Sequence, residues 1–365
     1  GAQHNSPTAA GTAFSSDVAL RRTEPSPARG PYNVRPTRAG ASSIVAASIE
    51  QDDNQYKLVR LTGGPSPPVR IDHAEYSAIA KAKQGVVAAL ALEEKFSLLL
   101  ENYAEYESEL LDVAVRSSIF SHQAWGEFQA DIHAVNRRLV NLLTATKLYA
   151  DHVDHELIQL YGRSAAVPIK YRDERDKSRA SVLSWRALEL LRNVVQHRDF
   201  PVHELSLESS GDREDPDRGF VRHSVHPSIA VQRLSSDRRI DARDRQTLDE
   251  LAAKGSKLQL TPMVREYVAA IARLHGLVRD AMAPDLDVWD LAISSALEKA
   301  RVAFGDVFAV GAARIVECED GEEEHDVVEI FDDPIKRRRF LAARTFRVQF
   351  LANGYVSSKP KIQEA

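Results

Sequence analysis

The residues best suited to chemistry in this chain lie in the hexapeptide Arg192-Asn193-Val194-Val195-Gln196-His197. A histidine that titrates near neutrality can accept or donate a proton. An arginine keeps its charge and can hold two oxygens of one phosphate. RNA supplies its own nucleophile, the 2′-hydroxyl. Arg192 would therefore stabilise the charge on the phosphate, and His197 would transfer a proton. The pattern therefore indicates RNA cleavage without a metal and without a cofactor.

Arginine–histidine pairs at this spacing are common, so the context of the pair decides its meaning. With 35 Arg and 12 His in 365 residues, chance predicts about one match, and the chain has three. The pair Arg198 and His203 encloses Pro201, which excludes a helix, and Arg218 and His223 lie in a stretch rich in Gly, Asp and Pro. Only the first pair lies at the end of a predicted helix. The competing interpretation is a helix C-terminus whose basic side chains complement the dipole.

Helical geometry restricts how the motif residues meet. Five positions advance a helix by about 500°, so Arg192 and His197 are about 140° apart around the axis. Asn193 and His197 are four positions apart and share a face. Either the arginine reaches around, or the last turn loosens, or a two-fold dimer pairs the residues across its interface. We expect the Asn193 amide to orient His197 or Arg192.

The motif resembles the Arg-x4-6-His signature of the HEPN superfamily, including the polar residue after the arginine. The resemblance covers about residues 74–283 and implies an antiparallel helical bundle, a homodimer, and metal-independent endoribonuclease activity in bacterial toxin–antitoxin or phage-defence systems. It implies that Arg192 and His197 are catalytic, that Asn193 supports them, and that cleavage leaves a 2′,3′-cyclic phosphate. RNA and an antitoxin or other protein regulator are the expected partners. The alternatives are a catalytically inactive HEPN-like subunit that binds RNA or a protein, and a helical scaffold.

Further basic residues are candidates for substrate binding. Arg198 and His203 follow the motif directly, so they are placed to line the same cleft. The run Lys336-Arg337-Arg338-Arg339 is a candidate for phosphate contacts, and Lys336, Arg337 and Arg338 are predicted to bind substrate. The alternative for this run is a solvated surface.

Two histidine pairs have spacings that could serve a metal. They occur in Asp151-His152-Val153-Asp154-His155-Glu156 and in His223-Ser224-Val225-His226. No matching ligand set is visible elsewhere in the sequence, so both are interpreted as solvated residues, and no metal site is predicted.

Composition limits the class of protein. A net charge of −5 and a pI near 6.2 argue against a general nucleic-acid coat protein, which would usually be basic, but allow a local basic cleft. The one cysteine, Cys318, excludes an internal disulfide framework and fits a reducing cytoplasm. Apolar runs fall short of the roughly 18 residues of a membrane span, so no membrane partner is expected.

The predicted fold is mainly α, or α+β overall, in which a HEPN-like bundle carries added β elements. We predict a disordered tail at 1–42, a β lead-in at 43–70, the bundle at 74–304 with a β insertion at about 202–259, and a β-containing extension at 305–365. The tail is mildly basic, so it is either solvated or in contact with RNA or a partner.

Hydrophobic periodicity supplies the individual elements. Five helices are predicted: Ala74–Ala114, His122–Tyr161, Arg175–His197, one that starts with Thr261 as N-cap, and Asp285–Phe304. The core stripe of the second helix contains Trp125, Phe128, Ile132, Val135, Leu139, Leu142, Thr146 and Tyr149, and Trp185 is also assigned to the core. Strands are predicted at Ser43–Ala46, Tyr56–Leu61, His203–Glu208, Phe220–Leu234, Ala313–Glu317, Val327–Phe331 and Phe346–Leu351.

Overall fold

A computed structural model describes residues 55–62, 67–120, 125–197, 200–211, 221–235, 241–306, 309–317, 323–345, 347–354 and 356. In this part of the chain helices predominate and two small antiparallel sheets complete the fold. The predicted mainly α class is therefore confirmed. The predicted tail at 1–42 and the predicted strand Ser43–Ala46 lie outside the described residues.

The elements follow one another in a mixed order. They are β1 (Tyr56–Arg60), β2 (Val69–Arg70), α1 (His73–Ile119), α2 (Trp125–Tyr161), α3 (Ala166–Ser181), α4 (Leu183–His197), β3 (Glu204–Ser210), β4 (Arg222–Ala230), α5 (Val231–Ser235), α6 (Ala242–Lys254), β5 (Lys257–Gln259), α7 (Leu260–Phe304), β6 (Val310–Glu317), β7 (Glu323–Ile330), α8 (Asp333–Arg344) and a 3-10 helix (Val348–Asn353).

Helices α1 and α2 form the predicted antiparallel hairpin. Near its tip Arg116 of α1 pairs with Asp131 of α2 at 2.7 Å, and further from the tip the rings of Phe96 and Tyr149 lie 5.6 Å apart. From the first contact to the second, the residue number decreases on α1 and increases on α2, as antiparallel packing requires. Gly162, with φ of 87°, ends α2 in a backbone conformation that favours glycine.

The third predicted helix is in fact two helices. Val182 adopts an extended conformation between α3 and α4, and its N–H donates to the carbonyl of Ser178. The Ser181 hydroxyl donates to the carbonyl of Lys177 at 2.9 Å, a local bond that competes with helix continuation. Helix α3 also begins well before the predicted Arg175, with Pro168 in its first turn, where a proline is tolerated.

The fourth and fifth predicted helices are one helix, α7, with Pro284 inside it. Pro284 is exposed, and so is Asp280, whose carbonyl the proline leaves without its intrahelical partner. Met282 and Trp289 on the buried side are 2% and 5% exposed and hold both halves against the core. The predicted cap is also wrong, because α7 begins at Leu260 and not after Thr261.

Two sheets frame the helices. One has the strand order β2-β1-β6-β7, and its β6–β7 pair is the predicted C-terminal hairpin. The other has the order β3-β4-β5 and lies in the predicted β insertion. That insertion also contains α5 and α6, which were not predicted. The predicted strand Phe346–Leu351 is wrong where the structure describes it, since Val348–Asn353 is a 3-10 helix that packs Val348 and Leu351 on the core.

The core lies between α1, α2, α4 and α7. The predicted stripe of α2 is largely buried, but Trp125 is 79% exposed at the tip of the hairpin, so its assignment to the core is wrong. Trp185 is buried as predicted. Within the part of the chain that the structure describes, no helix combines the length and apolar character that a membrane span requires.

Candidate functional site

The motif helix α4 is anchored by its apolar face. Trp185, Leu188 and Leu191 are buried, as their helical spacing predicts. The Trp185 ring meets Tyr267 of α7 edge-on, with centroids 5.4 Å apart. This packing sets the position of the polar residues that follow on the same helix.

Arg192 is half-buried, and no carboxylate of the described residues pairs with it. Its Nη1 donates to Oδ1 of Asn193 at 3.3 Å, which is one of the two contacts expected for that amide. Its Nε is buried without a hydrogen-bond partner. The other half-buried arginines on the described helices each form an ion pair with a carboxylate: Arg116, Arg138, Arg172, Arg175, Arg179, Arg186, Arg265, Arg279 and Arg338.

Helix α6, which was not predicted, brings an acid to the motif. Asp241 caps α6 and accepts the N–H of Asp244 at 2.7 Å. Burial and the Asp241 carboxylate raise the pKa of Asp244, while contact with the Asn193 amide opposes that shift. The missed signal was the pair of aspartates three positions apart before a helical pattern that ends at Gly255.

His197 is the last residue of α4, and its side chain is outside what the structure describes. Because α4 is helical through His197, the backbone places Arg192 and His197 about 140° apart and about 7.5 Å apart along the axis. Asn193 is exposed and shares the side of the helix with His197. Arg198 lies outside the described residues.

The segment that leaves α4 is held by buried hydrogen bonds. The side chain of Asn136 accepts the N–H of Val202 at 2.8 Å and donates to its carbonyl at 3.2 Å. His203, half-buried just before β3, accepts the N–H of Ala230 through Nδ1 at 3.0 Å. His203 thus helps to attach the segment after the motif to the β3-β4-β5 sheet.

The structure places the basic run of α8 away from the motif. Lys336 pairs with Asp332 at 2.8 Å, and Arg338 pairs with the buried Asp290 of α7 at 2.5 Å. Arg337 is exposed above the Phe340 ring. Asp290 and the Tyr267 that packs on α4 are separated by 23 residues of α7, roughly 34 Å of helix. Lys336, Arg337 and Arg338 are therefore not brought together with Arg192.

The histidine pairs do not meet a metal-like ligand set. His152 lies 3.9 Å from Glu156, and His223 and His226 each lie 2.9 Å from a serine hydroxyl. Among the residues that are described, no three potential ligands cluster around one point.

A second polar cluster, which was not predicted, is buried between α1, α2 and α7. Glu93 accepts two hydrogen bonds from Arg279 at 2.7 and 2.5 Å and lies 3.3 Å from Nε2 of His275. His275 stacks on Phe96 at 3.9 Å, and its Nδ1 is 2.8 Å from the Tyr149 hydroxyl. We call these five residues the buried cluster.

The pKa values of the buried cluster follow from its packing. Burial raises the pKa of Glu93, but the hydrogen bonds from Arg279 and His275 outweigh burial and hold it at about 2. Burial lowers the pKa of His275, against the opposing effect of Glu93. Since Glu93 and His275 are 6% and 1% exposed, the cluster is interpreted as part of the core.

Comparison with known proteins adds no relative to this description. No family model, no curated protein and no solved structure matches the chain. The functional argument therefore rests on the residues of the chain itself.

Proposed function

We propose that the protein is a metal-independent endoribonuclease of the HEPN type, with Arg192 and His197 as catalytic residues and Asn193 as a positioning residue. The observation that carries the proposal is the state of Arg192. Among the residues that the structure describes, no carboxylate pairs with this half-buried guanidinium, so they leave its positive charge uncompensated in a site of reduced dielectric. A phosphate of RNA is the anion that its forked donors fit best.

In the proposed reaction the 2′-oxygen of RNA attacks the adjacent phosphorus and the 5′-oxygen of the next nucleotide leaves. One proton is removed from the 2′-hydroxyl and one is delivered to the 5′-oxygen, which leaves a 2′,3′-cyclic phosphate and a 5′-hydroxyl. His197 carries a proton in one of these transfers. Arg192 stabilises the charge that develops on the phosphate oxygens, and Asn193 holds the guanidinium through the contact already described.

The angle between the two catalytic residues favours a site shared by two chains. On one regular helix the backbone positions of Arg192 and His197 lie about 140° apart around the axis. A two-fold axis near the end of α4 would bring the Arg192 of one chain to the His197 of its partner. We therefore propose a homodimer with composite sites.

A catalytically inactive HEPN-like subunit that binds RNA or a protein is the second candidate. Asp244 favours it, because a carboxylate beside Asn193 adds negative charge next to the proposed phosphate site. On either proposal the biological setting implied by the resemblance is bacterial toxin–antitoxin or phage defence, with an antitoxin or another protein as regulator.

RNA cleavage in the presence of EDTA tests the proposal. Total RNA and a tRNA pool are incubated with the native protein and with Arg192→Ala, His197→Ala and Gln196→Ala. Gln196 is exposed on the same helix and serves as the matched control. We expect the first two variants to lose cleavage, the control to retain it, and the products to carry cyclic phosphate ends. Equal background cleavage by all four proteins would favour the inactive subunit.

Mixing the two inactive variants tests the composite site. A dimer of one Arg192→Ala chain and one His197→Ala chain has two composite sites, and one of them keeps both catalytic residues. Random exchange makes half of all dimers mixed. About a quarter of native activity should therefore return after subunit exchange. No recovery, with exchange shown by a size tag, would assign each site to a single chain.

A further inference from the structure

Within the part of the chain that the structure describes, strand β7 is an edge of the four-stranded sheet, and its outward side can be assigned residue by residue. The N–H of Ile315 and the N–H of Leu61 bond across the β1–β6 pair. In an antiparallel sheet, residues that bond to one neighbour alternate with residues that bond to the other. Residues 310, 312 and 314 of β6 therefore bond to residues 330, 328 and 326 of β7. The backbone groups of Val327 and Glu329 point outward.

A cleft lies beside this free edge. It has a volume of about 460 Å³ and is bounded by α1, by the last turns of α2 and by β7. The cleft is lined by small side chains of α1, such as Ala80 and Ala91, and by Leu160 of α2. Val87 of α1 also lines it and is 45% exposed, although it is apolar. A free strand edge that faces an apolar cleft can receive one further strand.

The partner that fits this edge is basic. Strand β7 contains no Lys or Arg, and four of its eight residues are acidic: Glu323, Glu324, Asp326 and Glu329. Lys83 is the basic residue that lines the cleft, and Glu156 lines it as well. Pairing two copies of β7 would bring acidic side chains together across the new interface, which is unfavourable. Charge thus excludes a second copy and favours a cationic segment.

Side-chain alternation defines the segment further. Asp326, Val328 and Ile330 share the face of β7 that is directed at α1, where Asp326 accepts from the Tyr76 hydroxyl at 3.3 Å. Residues of an added strand on that face would enter the cleft and must be small and apolar. Residues on the other face would lie beside Glu329, where a cation is favoured.

We propose that β7 and this cleft bind an extended segment of another protein in which Lys or Arg alternates with Val or residues of similar size. The segment adds to the sheet as a fifth strand through the outward backbone groups of Val327 and Glu329. The site is on different elements from the RNA motif, so the proposal does not depend on the proposed nuclease function.

A labelled peptide, Lys-Val-Arg-Val-Lys-Val-Arg with blocked ends, serves as the probe. Fluorescence anisotropy is recorded with the native full-length protein and with Val327→Pro, which removes one outward N–H and leaves the β6–β7 bonds intact. Val327→Thr keeps that N–H and is the matched control. Thermal unfolding of each variant shows whether it is folded. We expect binding to weaken about tenfold or more in Val327→Pro and to change little in Val327→Thr.

Two further measurements separate strand addition from simple charge attraction. Bound peptide should slow amide exchange at Val327 and Glu329, and the bulky neutral substitution Val87→Trp should block the cleft and weaken binding without changing its charge. Native affinity in both folded variants, Val327→Pro and Val87→Trp, would overturn the proposal. So would the absence of peptide binding, or a dimer that Val327→Pro dissociates, since the edge would then pair with itself.

Discussion

The indole ring of Trp289 lies against the backbone of Gly85, where α7 crosses α1. A Cβ atom at position 85 would lie 2.3 Å from Cε3 of the ring. Glycine is disfavoured in a helix interior, and here it allows the close approach of a buried indole. Gly85 is thus a packing residue of the core.

Replacing Gly85 by alanine should destabilise the protein by about 1–3 kcal/mol, because the added methyl displaces the Trp289 ring. The measurement is urea unfolding followed by far-UV circular dichroism. Gly276→Ala is the control, since Gly276 is also helical and a Cβ there meets nothing within 4 Å. That substitution should stabilise by up to about 1 kcal/mol. Equal effects at the two positions would contradict the packing argument.

Removing Arg279 should be among the most damaging single changes in the core. Arg279→Leu leaves the buried Glu93 carboxylate without its principal partner, at a cost of about 3–5 kcal/mol. The double variant Glu93→Leu with Arg279→Leu removes both charges and should recover much of that loss. Urea unfolding of the two variants provides the comparison. A double variant as unstable as the single one would mean that the ion pair matters less than its packing.

Stability should fall as the solution is acidified, first through His275. Its pKa is lowered in the folded state from an ordinary value of 6.5, so below pH 6.5 the unfolded chain binds the proton first. The free energy of unfolding then drops by up to about 1.4 kcal/mol per pH unit for this group. Unfolding is measured at pH 7.5, 6.5 and 5.5 for the native protein and for His275→Gln. An identical slope in both proteins would exclude His275 as the source.

Glu93 should control stability at lower pH. Its pKa falls from an ordinary value of 4.5 to about 2 on folding. Its contribution to stability is therefore present above pH 4.5 and is lost as the pH falls towards 2. The check is acid unfolding of native protein beside the double variant that lacks both Glu93 and Arg279. The double variant should show a shallower decline between pH 4.5 and 2.

Asn136 should link fold stability to the motif. Asn136→Ala leaves the buried N–H and carbonyl of Val202 unpaired, which costs about 1–3 kcal/mol. It also frees the backbone at Val202, so the proposed RNA cleavage should fall in a folded sample. Asn102→Ala is the control, because the Asn102 amide bonds to Leu98 within its own helix at 2.8 Å. Cleavage and unfolding are measured on the same preparations.

Features that depend on neighbouring residues in the sequence were predicted well. The stripe of α2, the hairpin with α1 and the β6–β7 hairpin depend on local periodicity and on turn residues, which a sequence displays directly. Trp125 fits the spacing of the α2 stripe in the sequence, but it lies at the tip of the hairpin, where none of the described core residues covers it. Periodicity thus shows which face an element can bury, but not how far the neighbouring element extends.

Features that depend on distant residues were not predicted. Pro284 ends a helix by local rules, yet the packing of Met282 and Trp289 keeps α7 continuous. The buried cluster joins Glu93 and His275, which are far apart in sequence. They come into contact only because α1 packs against α7. The spacing at the motif was visible in the sequence. Which of the described carboxylates pair with Arg192 was not visible, because pairing between helices depends on how they pack.

Because α7 is continuous, it connects the unfolding of elements that lie far apart in the molecule. Its 45 residues extend for about 67 Å, and strands of both sheets, together with α4, rest along it. When one end of α7 separates from its neighbours, apolar surface becomes exposed on the same continuous helix that supports the elements at its other end. The strand edge at β7 and the motif helix pack on the same helix, so we expect an opening that unfolds α7 to expose both.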